Sequence, residues 1–90
     1  MRLSKNLTLR EATKSITAKR LGIENEPEAW EKKNLSVIAE EVFQKVRDHF
    51  GAPIAVTSGY RSKALNKAIG GSRHSQHIQG RALDLDAHVY

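Results

Sequence analysis

A histidine and an aspartate near the end of this 90-residue chain are the side chains best suited to chemistry. His77 is expected in a loop, and Asp84 follows it within a short predicted strand. A neutral imidazole and a carboxylate are both good ligands for first-row metal ions such as zinc. Catalytic zinc normally takes three protein ligands and keeps one position for water, so these two residues form most of a metal site but not all of it.

Three nearby residues are possible substitutes for the missing ligand. His88 is expected on the same strand face as Asp84, but about 13 Å further along at roughly 3.3 Å per residue, which is too far for both to reach one ion at about 2 Å. His74 lies in a loop that is predicted to be exposed, and Asp86 is able to pair with a basic side chain instead. The third ligand therefore stays unassigned.

Arg61 follows the turn after a predicted strand. Its planar guanidinium is suited to a substrate carboxylate or to an oxyanion that develops on an attacked carbonyl. The alternative is an ordinary surface arginine. For Asp84 the alternative is a buried carboxylate between two leucines, which is costly unless the carboxylate faces a cation. That cost favours a ligand role for Asp84.

Two short strands are predicted to position these residues. Residues 54–57 are mostly apolar and β-branched, which predicts a buried strand that ends at Ser58-Gly59. Residues 82–87 alternate in character, which predicts a second strand with Asp84 on one face and the flanking leucines on the core face. Ordinary strand geometry then displays Asp84 toward the site.

A short N-terminal helix is predicted from its capping residues. Thr8 and Glu11 have the spacing of a capping box, and the helix is expected to continue to about Ser15. Residues 17–26 are predicted to form a loop.

A long amphipathic helix is the clearest element in the sequence. Pro27 is suited to its first turn and Gly51 to its end. Apolar residues recur at helical spacing and predict the face that meets the core: Leu35, Ile38, Ala39, Val42, Val46 and Phe50. Ser62 is predicted to cap a third, short helix that runs through Ala68.

Length and composition bound the architecture and the possible chemistry. The chain is expected to form a single α+β domain over residues 1–90, with helices packed on a small antiparallel sheet. It has no cysteine, which excludes disulfides, thiolate ligands and a cysteine nucleophile. It shows no signal peptide and no membrane-length apolar run, so we expect a soluble protein without an export signal of its own.

The net charge of +5 is concentrated at the two ends of the chain. Residues 1–20 carry six basic side chains against one acidic, and residues 61–90 carry five against two. One interpretation is attraction to an anionic polymer such as nucleic acid or bacterial cell wall, and the other is a solvated surface. No basic stripe interleaved with aromatic residues supports nucleic-acid binding.

The second half of the chain resembles a known peptidase family. The segments that carry the resemblance are Ser58-Gly59-Tyr60-Arg61-Ser62, Leu65-Asn66, Gly70-Gly71-Ser72 and Ser75-x-His77-x-x-Gly80-x-Ala82-x-Asp84. Together they resemble the zinc D-Ala-D-Ala carboxypeptidases, with their phage endolysin and prophage branches, and the wider group that includes lysostaphin and hedgehog. Residues 3–11 and 17–23 are also similar to phage-type members, so the resemblance covers nearly the whole chain.

The resemblance implies zinc-dependent hydrolysis of peptidoglycan cross-link or stem peptides. It implies that His77 and Asp84 are zinc ligands and that Arg61 lies near the scissile group, where it binds substrate or the oxyanion. Ser75 resembles the family's substrate-binding serine, although a role as a loop cap is an equal alternative. The implied cofactor is zinc and the implied partner is peptidoglycan, as for a cytoplasmically made phage or prophage protein that acts on the cell wall. No membrane partner is expected.

The resemblance also implies that part of the chemistry is missing. The family takes its third ligand, a histidine, and its general base, a glutamate, from a segment beyond the last residue of this sequence. We therefore expect a fold that lacks the family's final strands and a chain with little activity alone. Three explanations stay open: a truncated peptidase, a peptidoglycan-binding module without catalysis, or a site completed by a homodimer through an exposed sheet edge. A small basic nucleic-acid-binding protein is the alternative from another class.

Overall fold

The computed structural model describes residues 1–87, so the expectation for His88 lies outside the described part of the chain. An antiparallel hairpin of β1 (Arg2–Ser4) and β2 (Leu7–Thr8) begins the chain. The hairpin was not predicted, because strands of two or three residues carry almost no alternation in their sequence. Its two leucines are buried, so the hairpin forms one side of the core.

Helix α1 (Leu9–Thr13) begins with the predicted capping box. The Glu11 N–H donates to Thr8 Oγ1 at 3.2 Å, and the Thr8 N–H donates to Glu11 Oε1 at 3.0 Å. The helix ends before the expected Ser15, because that serine begins a second helix.

The prediction of a loop over residues 17–26 is wrong in its first half. Helix α2 (Ile16–Leu21) lies there. Ser15 Oγ accepts from the Ala18 N–H at 3.1 Å and caps the start, and Gly22 ends the helix with a φ of 67°. A helix this short shows little apolar periodicity, so its two caps were the available signal.

The predicted long helix is present as three consecutive pieces. They are α3 (Ala29–Ile38), a π-helical turn (Ala39–Phe43) and α4 (Gln44–Phe50). Pro27 lies two residues before the first helical residue rather than in the first turn, and Gly51 ends the helix as predicted.

The face that this helix turns to the core matches the predicted one in part, and Val46 packs partly against the core as expected. Leu35 and Ala39 are buried as expected, but Phe43 is 1% exposed whereas Val42 is 48% exposed. A π-helical turn has more residues than an α-helical turn, so it rotates the following residues around the helix axis. Contact with the core therefore moves from Val42 to Phe43, and Phe50 at the end of the helix is half exposed.

A strand and a helix beyond Gly51 confirm two further predictions. Strand β3 (Ile54–Ser58) ends where it was expected. Helix α5 (Lys63–Ala68) follows, and Ser62 Oγ accepts from the Leu65 N–H at 3.2 Å as its cap.

Strand β4 (Asp84–Ala87) begins two residues later than predicted and pairs antiparallel with β3. The register places Val56 opposite Leu85 and Ser58 opposite Asp84, with an irregularity between the two pairs. Val56 is buried and Leu85 packs partly against the core, while Asp84 is exposed. The predicted alternation of β4 is therefore present, and it brings Asp84 to the end of β3.

The α+β class is confirmed, since the described residues form helices and two antiparallel sheets of two strands each. One apolar cluster joins the hairpin, α1, the long helix and β3: Leu3, Leu7, Ala12, Leu35, Ala39, Phe43, Ile54, Val56 and Tyr60. The end of β3 is thereby fixed to the core on one side. No helix in the described part of the chain combines the length and apolar character that a membrane span requires.

Candidate functional site

A short 3-10 helix (Gln76–Gln79) places His77 beside the end of β3. Its imidazole Nδ1 lies 2.8 Å from the carbonyl oxygen of Gly59. Because a carbonyl only accepts, Nδ1 carries the hydrogen, and the lone pair of the neutral ring is on Nε2. A backbone acceptor that fixes one ring nitrogen and leaves the other free is the usual arrangement around a metal-binding histidine.

The free nitrogen of His77 faces Asp84. His77 Nε2 lies 3.5 Å from Asp84 Oδ2. Two ligands of a tetrahedral zinc ion, each about 2.0 to 2.1 Å from it, are about 3.3 Å apart, so this pair is spaced as two ligands of one ion would be. The donor types and the spacing both fit zinc.

Asp84 is more accessible than the sequence suggested. Its side chain is 58% exposed, against 12% for His77. The premise that Asp84 is a buried carboxylate between two leucines is therefore wrong. Its position on the outer face of β4 is the reason, since alternate strand residues point to opposite faces.

Arg61 forms the third side of the site and is largely buried, with 18% of its side chain exposed. Its Nε donates to Ser58 Oγ at 3.2 Å and its Nη1 donates to Asn66 Oδ1 at 3.3 Å. Nη2 lies 3.9 Å from Asp84 Oδ2, a long contact with an exposed carboxylate that contributes little to stability. The guanidinium is thus held by neutral acceptors, and its charge is available at the site.

Asn66 is a site residue whose role was not predicted. It is 3% exposed, and its amide nitrogen donates to the Ser72 carbonyl at 2.8 Å while its oxygen accepts from Arg61. The side chain therefore joins Arg61 to the loop that leads to His77. The sequence held one signal for this role. Asparagine is a poor helix former, so Asn66 inside a predicted helix indicates that its amide makes a specific contact.

Close backbone contacts hold the His77 loop against its neighbours. The Arg61 N–H donates to the His77 carbonyl at 3.1 Å. Gly80 ends the 3-10 helix with a φ of 72°, and a side chain there would meet the Glu31 carbonyl oxygen at 2.6 Å. Gly80 is therefore required both by its conformation and by the close approach of α3.

Tyr60 lies beside Arg61 but turns toward the core, where it is 6% exposed. Burial, together with the charge and hydrogen bonding of Glu31, raises the pKa of Tyr60 from 10.0 to about 12. Glu31 is itself buried, and its Oε1 accepts from the Glu28 N–H at 2.8 Å. This carboxylate therefore stabilises the start of α3 and interacts with the Tyr60 hydroxyl.

The remaining predicted site residues are placed as follows. Ser75 Oγ accepts from the His77 N–H at 3.2 Å and so caps the 3-10 helix, which leaves its hydroxyl hydrogen for another partner. His74 is exposed, and Asp86 is exposed on the outer face of β4. Within residues 1–87, no group of three or more His, Asp or Glu side chains is arranged to hold a metal ion.

A cavity of about 490 Å³ opens beside Arg61, between the start of α2, β3 and α5. Its lining is mixed, with the apolar side chains of Ile16, Val56, Leu65 and Ile69. Arg61 is part of this lining, so a ligand that contacts Arg61 also has an apolar surface within reach.

Comparison with known proteins identifies the family of the chain. A family model described as Peptidase M15 matches residues 5–89. No curated protein and no solved structure matches the chain. The matched span covers nearly the whole sequence and includes both β3 and the His77 loop, so the chain belongs to the peptidase M15 family.

Proposed function

We propose that this protein is a zinc-dependent hydrolase of peptidoglycan stem peptides, similar to D-Ala-D-Ala carboxypeptidases and phage endolysins. The observation that carries the proposal is the 3.5 Å spacing of His77 Nε2 and Asp84 Oδ2, with Nδ1 held by the Gly59 carbonyl. Membership of the peptidase M15 family supports the reaction class.

Each side chain has a role in this proposal. His77 and Asp84 hold the zinc, which supplies a Lewis acid and an activated water. Arg61 binds either the substrate carboxylate or the oxyanion of the attacked carbonyl, because its charge has no buried carboxylate partner. The Ser75 hydroxyl donates to the peptide backbone, and the cavity beside Arg61, with its mixed lining, accepts a substrate side chain.

Zinc titration by calorimetry tests the proposed site directly. We expect weak binding, because the described residues bring two ligands together where stable sites use three or four. His77→Ala and Asp84→Ala should each abolish it. His74→Ala is the matched control, since it removes an exposed imidazole from the same loop and should leave zinc affinity unchanged. Binding that survives both His77→Ala and Asp84→Ala would refute the assignment.

A second candidate function is binding of peptidoglycan without hydrolysis. The two-ligand donor set of residues 1–87 favours it, because activation of water also needs a carboxylate that accepts a proton. Release of stem-peptide fragments from purified peptidoglycan, lost in Asp84→Ala, would select the hydrolase. Zinc-independent retention on peptidoglycan without release would select the binding module.

A further inference from the structure

A basic cleft is lined in part by Asn66, the residue that also binds Arg61. It has a volume of about 650 Å³ and is formed by α5, the glycine-rich turn after it and the start of the His77 loop. Its lining residues are Lys63, Asn66, Lys67, Gly70, Gly71, Arg73 and Ile78. The lining contains three cations and no carboxylate.

The cations of this cleft are not neutralised by neighbouring acids. Lys63, Lys67 and Arg73 are exposed, and within residues 1–87 none of them forms an ion pair. By contrast, Lys45 pairs with Glu41 at 3.3 Å on the long helix. Residues 49–83 contain no aspartate or glutamate at all, so no acidic side chain from this part of the chain offsets their charge.

The arrangement of the three cations suits one compact anion. Lys63 and Lys67 are four residues apart on α5, which places them on the same helix face. Arg73 lines the same cleft from the loop that follows α5, and Gly70 and Gly71, which lie between Lys67 and Arg73 in the sequence, add no charged side chain to the lining. Concave surfaces lined by one sign of charge concentrate the field and attract counter-ions.

The cleft is joined to the candidate metal site by shared residues. Asn66 lines the cleft and also accepts from Arg61 Nη1 at 3.3 Å. Ile78, on the cleft wall, directly follows His77. A peptide that lies across Arg61 therefore reaches the cleft within a short length of chain.

We propose that this cleft binds a second carboxylate of the substrate, so that the protein selects acidic peptides. The inference rests on the proposed function and specifies its substrate class. Arg61 and the ligand pair bind the reacting end of the peptide, and the three cations bind a side-chain carboxylate next to it. Nucleic acid fits less well, because no aromatic side chain lines the cleft for base stacking.

Chemical-shift titration of the zinc-free protein with two peptides tests the proposal. The probes are acetyl-Ala-Glu-Ala-Ala and acetyl-Ala-Gln-Ala-Ala, which share a terminal carboxylate and differ only in the side-chain charge. We expect the glutamate peptide to bind roughly fivefold more tightly at low salt, because several exposed charge contacts each contribute modestly. Shifts should include the backbone amides of Gly70 and Gly71.

Two double variants with the same change in net charge distinguish an effect of the cleft from an effect of the overall positive charge. Lys63→Gln/Lys67→Gln should remove the preference for the glutamate peptide, whereas Lys19→Gln/Arg20→Gln on α2 makes the same change in net charge away from the cleft and should keep it. Equal affinity for the two peptides, or equal loss in both double variants, would overturn the proposal. Inorganic phosphate or a dodecathymidylate that binds the cleft more tightly than the glutamate peptide would also overturn it.

The zinc titration separates this inference from the proposed function. Neither double variant changes His77 or Asp84, so both should bind zinc as the unchanged protein does. If the unchanged protein binds zinc but shows no preference for the glutamate peptide, the cleft alone is contradicted. If the unchanged protein prefers the glutamate peptide but binds no zinc, the metal site alone is contradicted.

Discussion

The two ring nitrogens of His77 face different neighbours. The Gly59 carbonyl fixes Nδ1 at 2.8 Å, and Asp84 lies 3.5 Å from Nε2. Arg61 is fixed in the same way, by the neutral oxygens of Ser58 and Asn66. At the scale of residues, the site is therefore preorganised, because its side chains are oriented by contacts that do not depend on a ligand.

Tyr60 provides a test of the residue contacts behind the site. Its pKa is about 12 in the folded protein, above the 10.0 of an unperturbed tyrosine, so the folded state holds this proton more tightly. This proton contributes fully to stability below pH 10. As the pH rises toward 12, the free energy of unfolding should fall by about 2 to 3 kcal/mol, because folding raises the pKa of Tyr60 from 10.0 to about 12. Urea unfolding across this range should show the loss.

The control for this prediction is Tyr60→Phe. This variant removes the titrating hydroxyl but keeps the buried ring, so its unfolding free energy should fall less between the same two pH values. An identical pH dependence in the two proteins would show that other groups cause the loss.

At the scale of elements, the site depends on how the connection between β3 and α5 is held. Asn25 fixes it from the loop after α2, since its Oδ1 accepts from the Ser62 N–H at 2.6 Å and its Nδ2 donates to the Tyr60 carbonyl at 3.1 Å. From the other side, the Tyr60 N–H donates to the Ala12 carbonyl at 2.7 Å. The connection is therefore clamped between α1 and the Asn25 loop.

Gly59 lies in this connection, and its carbonyl oxygen contacts His77 Nδ1. A Cβ at this position would overlap the carbonyl oxygen of Ala12, so Gly59→Ala must displace either α1 or the connection. We expect a loss of about 1 to 3 kcal/mol in unfolding free energy. We also expect zinc affinity to fall roughly tenfold or more, because the Gly59 carbonyl no longer orients His77.

Gly22→Ala is the comparison for that experiment. Its φ of 67° makes an alanine strained, but no atom lies within 4 Å of the added Cβ. It should therefore cost stability without changing zinc affinity. If Gly59→Ala also left zinc affinity unchanged, the orienting role of its carbonyl would be wrong.

At the scale of the whole molecule, the second sheet is small and one of its strands carries the site. Among the described residues, β4 pairs with β3 alone. A strand that is paired on one side only offers backbone donors and acceptors to another strand. We therefore expect a concentration-dependent dimer through β4.

The charge of the molecule sets the conditions under which this dimer forms. Two copies with a net charge of +5 each repel one another, so association should strengthen as salt screens the repulsion. Binding to an anionic peptide should weaken with salt instead. Sedimentation velocity over a range of protein and salt concentrations checks this, and a strictly monomeric chain at high protein and high salt would contradict the dimer.

The sequence by itself determined the elements that are set by short-range rules. Thr8 and Ser62 predicted two helix starts, because a side-chain oxygen there satisfies free N–H groups of the first turn. Gly51 predicted the end of the long helix, and the alternation around Asp84 predicted its strand face. Donor chemistry made His77 and Asp84 suitable metal ligands, and the resemblance of the surrounding segment to a zinc peptidase family implied their role.

Only the tertiary structure decided how these parts meet. The separation of His77 from Asp84 depends on the pairing of β3 with β4, and the orientation of the imidazole depends on Gly59, distant in the sequence. The π-helical turn exchanged Val42 for Phe43 at the core, because packing outweighed the regular helical period. Such contacts are fixed by the closure and packing of the whole chain, which no local pattern specifies.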